Sequence, residues 1–273
     1  MATLLASGQL QASPPSSRPA VAGLEAARGD PVAAWHPPRR RDYLAWKMPH
    51  AGSGDAWLFR SLGLIGRKLV SSISGLEHIA PGRDPFILAV NHTSRREAII
   101  VPMLFFLHRG GALIHFLADW NFMLIPGIGL IYRRSKVIVM TSKGIRPGFL
   151  NVLKPAFADT MEPLERAREH LAAGRSVGVF PEGTVNGDPG RLLRGRLGAA
   201  RLSLDAGVPI VPVGIRPAAA TSERWPFPPL EINIGAPLEP PKGERGSRAA
   251  MAFHARTMNR IAELSGKPWQ RPG

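Results

Sequence analysis

The 273-residue chain contains no cysteine. Disulfides, thiolate metal sites and a cysteine nucleophile are therefore excluded, and the composition fits a reducing compartment. Tyrosine is scarce too, with two copies beside eleven phenylalanines, which is thin for base-stacking platforms. Acidic side chains number 20 against 35 basic ones, leaving a formal charge of +15. Such a surface is drawn to polyanions: nucleic acid, anionic lipid headgroups or phosphorylated substrates. Zinc-ligand spacings, an RNP-like aromatic strand and a basic leucine zipper are missing, so membrane or phosphate partners are favoured over specific nucleic acid. Long apolar runs are also lacking. The stretches 98–107 and 112–132 are separated by His108 to Gly111, and Asp119, Asn121 and Pro126 interrupt the second. Neither supplies the ~20 consecutive apolar residues of a spanning helix.

Apolar residues nevertheless make up 44% of the chain, enough for a sizeable core. Residues 1–54 do not share in it. Ser13-Pro14-Pro15-Ser16-Ser17 and Pro37-Pro38-Arg39-Arg40-Arg41 typify this region, which is expected to be a disordered arm. No basic stretch precedes an apolar one there, so a secretory signal is not expected. Residues 55–73 read as an amphipathic basic helix, with Leu58, Leu62, Ile65 and Leu69 at helical spacing among Arg60, Arg67 and Lys68. Such a helix either packs its apolar face on the domain or lies on anionic lipid.

Residues 74–265 read as one α/β domain, followed by a tail over 266–273. Pro85 to Val90 is apolar without alternation, as expected of a strand buried on both faces of a sheet. Strands over 176–180, 208–215 and 230–234 alternate with helices over 164–173, 197–205 and 249–264. Gly174 and Gly207 sit where helix caps are expected. The expected fold is a mixed, largely buried β-sheet flanked by helices.

Two segments at strand ends carry candidate chemistry. Asn91-His92-Thr93-Ser94-Arg95-Arg96-Glu97 follows the first buried strand. A separation of five puts two side chains about 140° apart on a continuous helix. His92 and Glu97 can therefore meet only across a strand–turn–helix junction. There a histidine base would have a carboxylate to fix its tautomer and stabilise the imidazolium. Ser94 to Glu97 equally matches a capping box, and the local pattern leaves both readings open. The second segment is Phe180-Pro181-Glu182-Gly183-Thr184, where Gly183 permits close backbone approach and its N–H suits an anion. On its own such a segment is usually just a turn.

Together these segments resemble the glycerophospholipid acyltransferase family, whose lysophosphatidate acyltransferases carry Asn-His-x4-Asp and Phe-Pro-Glu-Gly-Thr. Gly129 to Arg134 is similar to the second family block, with Arg134, or Arg133, in place of its phosphate-contacting arginine. Gly207 to Val213 is similar to the fourth, and the resemblance runs from about Ser74 to Leu264. Glu97 stands where most members have Asp, as in the related lipid A acyltransferases. Val185 and Asn186 replace the usual arginine and serine, and the stretch 136–159 looks longer than in compact members.

The resemblance implies a glycerol-3-phosphate acyltransferase-like fold and direct acyl transfer from acyl-CoA or acyl-carrier protein to a lipid hydroxyl, with no further cofactor and no metal. His92 and Glu97 would be catalytic. Asn91, Arg134, Glu182, Gly183 and Thr184 would contact substrate, and N–H groups at the helix start would stabilise the oxyanion. Lysophosphatidate is the first expected acceptor, a phosphate-free lysolipid or glycolipid the second. A catalytically silent lipid-binding relative and a nucleic-acid binder are the other classes. The expected location is the cytoplasmic face of a membrane, peripheral or monotopic.

Overall fold

The run Ile87-Leu88-Ala89-Val90 forms β2, and every residue in it is buried. Alternate side chains of a strand point to opposite faces. Leu88 and Val90 enter one core with helices of the N-terminal half, whereas Ile87 and Ala89 enter a second with helices of the C-terminal half. A central strand packed on both faces explains a sequence with no polar alternation.

The computed structural model describes residues 35, 37, 39–94, 96–144, 146–188, 190–218 and 228–270, all within one unit spanning Ala33–Gly273. In chain order the elements are α1 (Arg40–Leu44), α2 (Ser53–Gly66), β1 (Val70–Ser74), β2 (Ile87–Val90), α3 (Glu97–His108), β3 (His115–Asp119), α4 (Ile128–Arg134) and β4 (Ile138–Met140). There follow α5 (Pro163–Ala172), β5 (Val177–Val179), α6 (Gly198–Ala206), β6 (Ile210–Pro217), β7 (Leu230–Ile234) and α7 (Ser247–Ser265). The strands form one sheet in the order β1-β7-β6-β2-β5-β3-β4. Among these strands of the described residues, only β6 and β7 pair antiparallel. The expected α/β architecture, a mixed sheet flanked by helices, is present. α6 stops at Gly207, whose φ of 67° is the left-handed conformation glycine adopts without steric cost.

The boundaries differ from expectation in three places. Residues 1–34, 36 and 38 of the expected arm lie outside the described residues, but the stretch 39–54 is anchored on the domain at a few points. Tyr43 is fully buried, Met48 nearly so, and the Arg60 guanidinium donates to the Trp46 carbonyl at 2.6 and 2.9 Å. Tyr43, Met48 and the bond from Arg60 anchor a stretch with no apolar period. The helix expected over 55–73 ends at Gly66, and Val70–Ser74 joins the sheet as an edge strand. Finally, the tail is docked as far as Trp269: Leu192 N–H donates to the Pro268 carbonyl at 3.0 Å, and Trp269 Nε1 to the Arg194 carbonyl at 3.2 Å.

α2 buries Ala56, Phe59, Gly63 and Gly66, so the packing reading of this helix holds. Its outer face still exposes Trp57 and Ile65, at 71% and 76%. Among the described residues no helix is long and apolar enough to cross a membrane.

Candidate active site

β2 and β5 are parallel neighbours, with Ala89 opposite Val179. Their carboxyl ends therefore deliver Asn91-His92 and Phe180-Pro181-Glu182 to the same edge of the sheet, the edge where α/β sites are built. The His92 ring stacks on Phe180, with centroids 4.4 Å apart and planes at 29°. Its backbone N–H donates to Glu182 Oε1 at 2.9 Å.

Glu97 opens α3, and its Oε2 accepts from Thr93 N–H at 2.6 Å and Ser94 N–H at 3.0 Å. The same oxygen lies 3.4 Å from His92 Nδ1. The carboxylate thus closes the turn and faces the imidazole at once. Half of the expected capping box forms; the other half does not, because the buried Ser94 hydroxyl has no hydrogen-bond partner. Orientation of Nδ1 toward Glu97 favours the tautomer with its proton there, leaving Nε2 as the basic nitrogen. The 3.4 Å separation is long for a hydrogen bond, as is common before substrate tightens a catalytic pair.

Several N–H groups near the start of α3 and at Gly183 are already engaged. The N–H groups of His92, Thr93 and Ser94 all point to carboxylates, and Gly183 N–H closes a turn on the Phe180 carbonyl at 2.9 Å. These four N–H groups are therefore engaged within the protein in this conformation.

The expected substrate contacts divide in two. Asn91 is buried, and its amide pairs with the Ile215 backbone, accepting at 2.6 Å and donating at 3.0 Å. It ties the end of β2 to β6 instead of facing a ligand. Glu182 is buried as well and accepts from Leu193 N–H at 2.9 Å besides His92. Burial pushes its carboxyl above the usual carboxylate range, opposed by the His92 and Leu193 N–H groups, the Asn186 amide and the Lys267 charge. Gly183 has φ of 67°, a conformation that favours glycine, and a Cβ there would lie 2.7 Å from Arg196 Nε. Thr184 is exposed at the same strand end.

Arg134 is not brought to this edge. It is the last residue of α4 and pairs with Asp55 of α2 at 2.7 Å. Two residues later the Lys136 carbonyl meets His115 Nδ1 at 3.0 Å, at the start of β3. Arg133 and Arg134 therefore lie toward the amino edge of the parallel strands, opposite His92. Besides Arg196, a cation that reaches this edge is Lys143, just past β4. Its Nζ donates to the Gly183 carbonyl at 2.6 Å and pairs with Asp119 at 3.2 Å. Sequence reading missed it because β4 is three residues long; a cation just beyond a short apolar run was the available signal.

Known proteins are similar to this chain in sequence and in fold. The acyltransferase family model matches residues 71–216. The 1-acyl-sn-glycerol-3-phosphate acyltransferase of Borreliella burgdorferi is 29% identical over 154 residues, which is 56% of this chain and 53% of that protein. The chloroplastic 1-acyl-sn-glycerol-3-phosphate acyltransferase BAT2 of Brassica napus is 29% identical over 143 residues, covering 52% of this chain and 36% of its own length. The alignments thus span about half or less of these relatives. The crystal structure of the LPA acyltransferase PlsC from Thermotoga maritima superposes with a TM-score of 0.51 at 21% identity, over 85% of this chain and 90% of that one, a likeness of fold. Since the family match takes in more than half of the chain and both strand ends that carry His92 and Glu182, this chain belongs to the acyltransferase family.

Proposed function

We propose that the protein transfers a fatty acyl group from a thioester, acyl-CoA or acyl-carrier protein, to the hydroxyl of a lysophospholipid, with 1-acylglycerol-3-phosphate as the first candidate. The observation that carries this reading is the placement of His92 Nδ1 against Glu97 Oε2 at a sheet edge, with Nε2 left to take a proton. Support for the acceptor comes from the names of the two curated relatives and from Lys143 and Arg196 beside Gly183.

In this mechanism Nε2 removes the acceptor hydroxyl proton as the oxygen attacks the thioester carbonyl. Glu97 offsets the charge of the imidazolium that forms. Collapse of the tetrahedral intermediate makes the ester and breaks the C–S bond, and the departing thiolate takes the proton back from His92. No acyl-enzyme is required. Asn91 and Glu182 serve as positioning residues, holding the end of β2 and the His92 backbone. The exposed Trp57 and Ile65 on α2 are apolar groups suited to a membrane surface, consistent with peripheral attachment at the cytoplasmic face.

The test is incubation of the pure protein with a radiolabelled acyl donor and a panel of lysolipids with and without phosphate. Labelled phosphatidate is expected, with competition from phosphate-bearing lysolipids. Equal use of phosphate-free acceptors would overturn the acceptor assignment, and no product in any lane would overturn acyl transfer.

A further inference from the structure

We propose that the 3-10 helical segment Gly148–Phe157 is a second lipid-contacting element, which seats the His92 edge of the sheet on an anionic bilayer. The inference rests on the reading of the site as one that acts on membrane lipid.

Topology sets the location. The segment links the end of β4 to the start of α5. β4 runs parallel to β3, β3 to β5, and β5 to β2, so residues just past β4 emerge at the carboxyl edge where His92 lies. α5 leads back into β5 and therefore starts near that same edge. Lys143, at the entry to the segment, touches Gly183 directly.

The surface is apolar where solvent would ordinarily demand polarity. Phe149 is 73% exposed, Val152 80% and Leu153 42%. A 3-10 helix has about three residues per turn, so Phe149, Val152 and Pro155 share one face. That face is held out from a fixed base: Phe157 packs on the buried Trp120 at 5.9 Å between centroids. The Trp120 Nε1 in turn donates to the Lys143 carbonyl at 3.0 Å.

Charge selects the partner. From Thr141 to Ala158 there is no acidic residue, while Lys143, Arg146 and Lys154 are all cationic. Lys143 is engaged with Asp119, but Arg146 is exposed and Lys154 half-buried beside the apolar face. An apolar patch rimmed by cations fits the interface of an anionic phospholipid bilayer, where acyl chains receive the side chains and headgroups pair with the ammonium and guanidinium groups. β1 and β4 are the two edge strands. The end of α2, with the exposed Ile65, runs into β1 and this segment leaves β4, so these two contacts would flank the site.

The experiment measures partition of the full chain to vesicles of phosphatidylglycerol and phosphatidylcholine in equal parts, and to phosphatidylcholine alone. The Phe149→Asp/Val152→Asp double variant is compared with Met251→Asp, which alters an exposed apolar residue on α7. The double variant is expected to lose about tenfold in partition to the anionic vesicles. Met251→Asp should bind like the parent chain, as should the double variant in turnover of a monomeric short-chain acceptor. Unchanged partition of the double variant, or an equal loss in Met251→Asp, would overturn the proposal. So would a defect confined to acyl-carrier protein as donor with vesicle binding intact, which would make this a carrier-protein surface. Absence of turnover in the parent chain would sink the acyl-transfer reading while leaving the vesicle result to judge this surface.

Discussion

The backbone N–H of His92 donates to Glu182 Oε1 across 90 residues of sequence, at 2.9 Å. The other oxygen of Glu182 takes Leu193 N–H at 2.9 Å, and the loop carrying Leu193 is held by the C-terminal residues at Pro268 and Trp269. The position of the candidate base thus depends on a buried carboxylate from the neighbouring strand, backed by the end of the chain. This arrangement separates residues that position from residues that react.

Glu182→Gln keeps the shape but turns one acceptor into a donor aimed at an N–H. A loss of roughly 2 kcal/mol in stability is expected from the broken buried bond. It should come with a fall in kcat and little change in acceptor KM. A rise in KM at constant kcat would instead make Glu182 a substrate contact.

Glu97→Gln tests the double role of that carboxylate. An amide oxygen still accepts from the turn before α3, so the melting temperature should shift little. The imidazolium loses its charged partner, and kcat is expected to fall about a hundredfold or more. Full activity in the purified variant would demote Glu97 to a helix-start residue.

Lys143 and Arg134 make opposite predictions. Lys143→Ala removes the donor to the Gly183 carbonyl and should raise the KM for a phosphate-bearing lysolipid. Arg134→Ala breaks a half-exposed pair with Asp55 and should leave steady-state kinetics unchanged, at a cost below about 1 kcal/mol. The reverse pattern in the two kinetic series would return Arg134 to the site.

Acid should weaken the N-terminal packing. Burial lowers the His108 pKa to about 4, and its ring sits 4.5 Å from Trp35 and 5.1 Å from Trp46, edge-on to both. A base whose folded pKa lies below its unfolded value of ~6.5 binds its proton more readily when unfolded. Its contribution to stability is complete above pH ~6.5 and is lost as pH falls toward about 4, up to ~3 kcal/mol in all. Thermal melts of the parent chain should drop over that window, and those of His108→Phe should drop less.

Much of this architecture was legible because burial leaves a pattern. The unbroken apolar run Ile87–Val90, the caps at Gly174 and Gly207 and the helix 249–264 are local signals, set by side-chain type and backbone freedom. The pairing of His92 with Glu97 was legible in the same way, because only a turn between strand and helix lets residues five apart meet. Contacts between distant segments left no such trace. Arg134 sits in a sequence resembling a phosphate block, yet the direction of β4 sends it toward the opposite edge and brings Lys143 in its place. Tyr43 and Met48 lie in a stretch without periodicity, and their burial follows from the faces of α2 and α3 that they meet. Which N–H groups remain for an oxyanion also depends on where the Glu97 and Glu182 carboxylates come to rest. Residue type and spacing decided the elements and the candidate base; strand order and direction, which arise from pairing across the whole chain, decided what surrounds it.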